Sequence, residues 1–137
     1  MLEFARIASQ ADQQVKALFC EHGLEITPQQ SRVLMILFEA REPLTARELA
    51  GRMGLAEPTM ARFVKALEQG GWLTRARDPQ DQRCWQLIPT AQARAALPRF
   101  IAVSNAVMDR LFSDLDAAEV ADLAARVSAL RAKLDPS

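Results

Sequence analysis

The sequence predicts a mainly α chain of six helices with one two-stranded β-hairpin, an α+β arrangement. Three observations carry this. Residues that favour helix starts (Thr27, Thr45, Pro58, Thr90 and Asp116) each precede apolar positions spaced three or four residues apart. Two of those helices are separated by only a few residues. Two strand-like runs, Trp72 to Arg77 and Arg83 to Ile88, flank Asp78-Pro79-Gln80-Asp81-Gln82, which is turn chemistry.

At 137 residues, half of them apolar, the chain suits one domain, residues 1–137, with a substantial core. Seventeen basic and seventeen acidic side chains cancel to a formal net charge of zero. That total counts mildly against a nucleic-acid partner, so any basic surface must come from placement. From Arg41 to Arg83 eight bases face six acids, an excess of two. Cys20 and Cys84 lie far apart with no CxxC spacing, which excludes a metal or disulfide framework and fits a reduced, cytoplasmic chain. The N-terminal MLEFARIASQADQQ has no basic stretch leading into an apolar one. No run approaches the ~18 apolar residues of a membrane span, and no metal or cofactor is expected.

In residues 1–22, Leu2, Phe4, Ile7, Ala11, Val15, Leu18 and Phe19 recur near helical spacing, and Gly23 is a plausible stop. Thr27-Pro28-Gln29-Gln30 starts a second helix: Thr27 caps, Pro28 suits the first position and Gln30 completes a capping box. Val33, Leu34, Ile36, Leu37 and Phe38 make that helix apolar almost all round, hence buried. Thr45 and Glu48 form the box of the third helix, with Leu44 and Leu49 at the staple positions and Gly54 closing it. The fourth begins at Pro58 and ends at Gly70-Gly71. Its core stripe is Met60, Phe63, Val64 and Leu67, with Thr59, Ala61, Arg62, Lys65 and Ala66 outside.

After the hairpin, Pro89 breaks the strand and Thr90 caps a fifth helix from about Ala91 to Phe112, where Pro98 predicts a kink or a restart. Asp116 and Glu119 box the last helix. Its Val120, Leu123, Val127, Leu130 and Leu134 alternate spacings of four and three, an a/d seam that predicts pairing with another helix.

Helix, turn, helix and hairpin in this order are the arrangement of a winged helix-turn-helix, which sets one helix in a DNA major groove. Short Thr59 and Ala61 let the fourth helix approach bases, while Arg62 and Lys65 supply donors for guanine or phosphate. Read alone, this is more simply the solvated face of an amphipathic helix, and it is the hairpin that favours a DNA reader. The hairpin adds Arg75, Arg77 and Arg83. An arginine at a wing tip can enter a narrow minor groove, and Asp81 beside Arg83 can hold its guanidinium in bidentate geometry. Arg75 and Arg77 are expected to hold phosphates.

On these residues the run from Leu49 to Thr90 resembles the MarR family of transcriptional regulators. The likeness rests on TMARFVKALEQGGWLTR, the wing RDPQDQR and the threonine opening the next helix, and the helical flanks match in order and length. The resemblance implies a recognition helix at Pro58–Gln69 within a lobe spanning 27–90, and an arginine at Arg83 that enters the minor groove. It implies a homodimer whose helices in 1–25 and 98–137 intertwine. It also implies a small, often aromatic effector between the dimer helices and the lobe. The chain departs from the family pattern at Glu57, Gln82, Pro89 and Ala93. A carboxylate at Glu57 can accept from cytosine N4 and also repels phosphate.

Oxidant-sensing members carry a cysteine near the start of the first helix among aromatic residues. Cys20 lies at the end of that helix, and the chain has no tyrosine. It is expected to be a small buried hydrophobe, with Cys84 structural on the wing strand and a redox role for Cys20 the alternative. No enzyme is expected: His22 has no triad partner spacing, and there is no phosphate-binding glycine loop. The sequence predicts a dimeric regulator, a repressor of a pseudo-palindromic DNA site, with Leu123, Val127 and Leu130 driving dimerisation. A protein-interaction adaptor that keeps the fold without DNA binding is the competing expectation.

Overall fold

The structure, a computed structural model, describes residues 2–134. In chain order its elements are α1 (Leu2–Glu21), α2 (Pro28–Glu39), β1 (Leu44–Thr45), α3 (Ala46–Met53), α4 (Glu57–Gln69), β2 (Leu73–Arg77), β3 (Trp85–Pro89), α5 (Ala91–Leu111) and α6 (Ala117–Ala132). The chain forms two compact units, Met1–Val103 and Ser104–Ser137, with the boundary inside α5.

Capping chemistry fixes where the helices begin. At α2 the Gln30 amide donates to Thr27 Oγ1 (3.1 Å) and the Thr27 amide to Gln30 Oε1 (3.2 Å). Thr45 with Glu48 repeats this at α3, and Asp116 with Glu119 at α6. α3 ends where Gly54 takes a φ of 66°, a left-handed turn that suits glycine. Thr90 caps α5 as expected, its Oγ1 accepting from the Ala93 amide at 3.3 Å. Pro98 causes no restart: α5 runs unbroken from Ala91 to Leu111. The proline is exposed, so the carbonyl that loses its N–H partner there can meet water.

Three expectations about the hairpin need correction. The sheet has three strands in the order β1-β3-β2, not two, because Leu44 and Thr45 pair with Leu87 and Gln86 of β3. β3 also runs from Trp85 to Pro89, so Arg83 and Cys84 lie in the tip. Pro89 pairs with Leu73 as the last residue of the strand instead of breaking it. Its absent N–H would point toward the β1 side, beyond where β1 pairs, so no ladder bond is lost.

In the first unit Val33, Leu34, Leu49, Met60, Val64, Leu67 and Leu87 are almost wholly inaccessible, drawing α2, α3, α4 and β3 around one core. Phe100 of α5 joins two neighbours to it. Its ring centroid lies 5.7 Å from that of Phe19, edge-on, and 5.7 Å from that of Trp72, tilted. α1 buries only Phe19 and leaves Leu2, Phe4 and Ile7 exposed. In the second unit α6 buries no residue, and Leu123, Val127 and Leu130 are 37%, 49% and 52% exposed. None of the described helices is long and apolar enough to cross a membrane.

Candidate nucleic-acid interface

α3 and α4 are joined by Gly54, Leu55 and Ala56 alone, with the Leu55 amide returning to the Ala50 carbonyl at 3.0 Å. Met60, Val64 and Leu67 pin α4 to the core, and Phe63 is half-buried beside them. The opposite face presents Ala61, Arg62 and Lys65 to solvent. Thr59 departs from the expectation of full exposure: it is half-buried, and its Oγ1 accepts from Arg62 Nη2 at 3.5 Å. Ala66, also expected outside, is half-buried as well. Ala56 provides no side-chain cap and Pro58 has no N–H, so the Glu57 and Thr59 amides are the donors of the first turn left to an anion such as phosphate. Glu57 opposes that charge, but Arg47 Nε sits 3.4 Å from Glu57 Oε1.

The wing follows from the pairing of β2 with β3. Leu73, Arg75 and Arg77 stand opposite Pro89, Leu87 and Trp85, so these six share one face, the face that carries buried Leu73 and Leu87. Arg75 therefore turns back toward α4: its Nε and Nη2 donate to the two carboxylate oxygens of Glu68 at 2.6 and 3.1 Å. Arg77 lies over the ring of Trp85, 4.1 Å from its centroid, and its Nη1 donates to the Gln82 carbonyl. At the tip the Arg83 amide and Nε both donate to Asp81 Oδ1 at 3.1 Å. These hydrogen bonds from Arg83 hold the Asp81 carboxyl below its usual value. The Arg83 guanidinium itself extends into solvent.

The structure thus brings Thr59 to Arg62 and Asp81 to Arg83, and it leaves Ala61, Lys65 and Arg83 exposed. Arg75 and Arg77, though exposed, are each held by partners within the chain, at Glu68 and at Trp85 with Gln82. Glu68 and Trp85 are the residues that strand pattern alone does not single out. Their signal was the register, since Trp85 stands opposite Arg77 only once β3 begins at Trp85.

Both cysteines differ from expectation. Cys20 is exposed, because Phe19 takes the inward position at the end of α1. Cys84 is half-buried in the tip, not on a strand, with Sγ 3.6 Å from Asp81 Oδ2. Burial, then the Asp81 charge, push its thiol up from the ordinary value. Among the described residues no group of three or more His, Cys, Asp or Glu could hold a metal ion.

Known proteins share this arrangement. A curated relative, the uncharacterized HTH-type transcriptional regulator YcgE of Bacillus subtilis, is 33% identical over 88 residues, 64% of this chain. The match spans 56% of that relative's length. A probable transcriptional regulator from Pseudomonas aeruginosa superposes with a TM-score of 0.74 at 26% identity, over 93% of this chain and 96% of that one. MepR of S. aureus, solved as a DNA complex, superposes with a TM-score of 0.85 at 20% identity over 96% of both chains, a likeness of fold. Residues 26–85, from the end of the α1–α2 turn to the wing, match the family model described as MarR family.

Proposed function

We propose that the chain is a sequence-specific DNA-binding transcriptional regulator that works as a homodimer and represses from a pseudo-palindromic site. The observation that carries this is one lobe presenting two readers, the exposed Ala61, Arg62 and Lys65 of α4 and the exposed Arg83 oriented by Asp81. Arg62 and Lys65, with Thr59 beside them, grip or read the major groove, and Arg83 enters the minor groove. Dimerisation runs through residues 1–25 and 98–137. Leu123, Val127 and Leu130 of α6 and Leu2, Phe4 and Ile7 of α1 are apolar surface that a second copy can cover. Two-fold symmetry then sets half-sites about one helical turn apart, ~10 bp. The match of residues 26–85 to the MarR family model supports a small aromatic effector, which must bind the DNA-free and DNA-bound forms with different affinity to regulate.

An adaptor that has lost DNA binding is the second reading, favoured by the zero net charge and by Glu57 in the first turn of α4. Selection from a randomised duplex library with the purified protein, followed by footprinting of the enriched duplex, separates the two. A regulator enriches a two-fold symmetric sequence and protects it. An adaptor enriches none.

A further inference from the structure

We propose that Arg77 and Trp85 form a clamp that sets the wing tip and thereby orients Arg83. Arg77 is then a positioning residue and not a phosphate contact. The inference rests on Arg83 being the groove reader proposed above.

The register supplies the first reason. The Asp78 amide donates to the Cys84 carbonyl at 3.1 Å, continuing the β2–β3 ladder one step past Arg77 and Trp85. Residues 78 and 84 are thus a hydrogen-bonded pair, and Arg77 with Trp85 is a non-hydrogen-bonded pair, whose side chains stand closer together. Arg77 Cζ accordingly sits over the indole ring, 4.1 Å from its centroid. This accounts for a tryptophan left 41% exposed at the start of the central strand.

The second reason is what the edge of that guanidinium does. A stacked guanidinium keeps its in-plane donors free, and Arg77 Nη1 uses one on the Gln82 carbonyl. The other side of the same peptide unit is the Arg83 amide, which donates to Asp81 Oδ1 at 3.1 Å. The 82–83 peptide is therefore held at its oxygen by Arg77 and at its N–H by Asp81. Asp81 holds the Arg83 side chain as well, through Nε. Its carbonyl accepts the Cys84 amide at 3.0 Å, and Asp78 Oδ1 accepts the Gln80 amide at 2.8 Å. Arg77 is the member of this set that joins the tip to the sheet through a side chain.

The test compares Arg77→Met, Trp85→Leu and Trp85→Phe. Without DNA, amide hydrogen exchange is followed at Arg83 and Cys84, with Val64 and Leu67 as core references. Arg77→Met and Trp85→Leu should speed exchange at the two tip amides by about tenfold, as expected for losing one modest interaction, and leave the core amides unchanged. Trp85→Phe, which keeps a π face, should largely restore the tip. Unchanged tip exchange in Arg77→Met overturns the clamp whatever the DNA result, and it decides the matter if Trp85→Leu does not fold.

With the duplex enriched from the random library, Arg77→Met should weaken binding roughly three- to tenfold. In an Arg83→Ala background the same change should have almost no further effect. Equal losses in both backgrounds would make Arg77 an independent phosphate contact and overturn the proposal. If the wild-type protein enriches no duplex, the functional reading falls, while the exchange experiment still decides the clamp.

Discussion

Arg75 and Glu68 tie the wing to the last turn of α4, with two parallel hydrogen bonds of 2.6 and 3.1 Å between guanidinium and carboxylate. Each Arg75 donor meets a different carboxylate oxygen, the geometry that makes such pairs specific. Through this contact α4 and the β2–β3 hairpin are joined by side chains. Both side chains are partly exposed, at 41% and 30%, so solvent screens the pair. Glu68→Gln should cost about 0.5–1 kcal/mol of stability in urea unfolding at fixed protein concentration. In the double-mutant cycle with Arg75→Met, the second change should then cost less than it does alone. Additive losses would mean the pair contributes nothing.

Thr90 is a second joint. Its Oγ1 donates to the Gly71 carbonyl at 2.6 Å and accepts from the Ala93 amide at 3.3 Å. One hydroxyl therefore caps α5 and fixes the glycine turn between α4 and β2. Thr90→Val keeps the shape and removes both bonds, and should destabilise by about 1–3 kcal/mol. Thr90→Ser should retain most of the stability. Equal stability of all three would show the hydroxyl to be idle.

The wing carries a pH signature with a definite sign. Hydrogen bonds from Arg83 lower the folded-state value of Asp81 below its ordinary 3.8. A lowered carboxylate contributes stability that is complete above the unfolded value and is lost as pH falls through the folded one. Exchange at the Arg83 amide should thus show no extra opening of the tip between pH 8 and pH 5 once its intrinsic pH dependence is removed. Opening should set in only in acid below about 3.8. Cys84 gives a complementary check at higher pH. Burial and the Asp81 carboxylate push its thiol above 9.0, so iodoacetamide at pH 8 should label exposed Cys20 well before Cys84. Equal labelling of the two would contradict the tip geometry.

The helices were legible because their starts are written in local chemistry. Thr27 with Gln30, Thr45 with Glu48 and Asp116 with Glu119 form the reciprocal bonds that their spacing predicts. The third strand was hidden because β1 has only two residues, one of which also caps α3. The tip was misjudged for a related reason: register decides which residues of Arg83-Cys84-Trp85 are strand, and register depends on pairing, not on composition. Arg75 and Arg77 looked like free cations in the sequence, since Glu68 is seven residues away and Trp85 eight. Pairing of β2 with β3 brings Trp85 to Arg77, and folding of the hairpin onto α4 brings Glu68 to Arg75.

The apolar residues of α6 bear on assembly. With Leu123 and Val127 both exposed in the isolated chain, Leu123→Glu together with Val127→Glu should leave the first unit folded. The double variant should sediment as a monomer at micromolar concentration, since ~1.5–3 kcal/mol is forgone for each side chain that would be fully buried. A wild-type protein that already sediments as a well-folded monomer would remove the dimer from the account.

The most direct measurement is the affinity of Arg83→Ala for the duplex that the wild-type protein enriches, titrated at one fixed salt concentration. Arg83 is exposed, oriented by Asp81 and placed at the tip of a wing braced on α4. Losing that groove contact should weaken binding by at least ~1 kcal/mol, roughly fivefold or more. Unchanged affinity would contradict the assignment of the wing as a DNA reader.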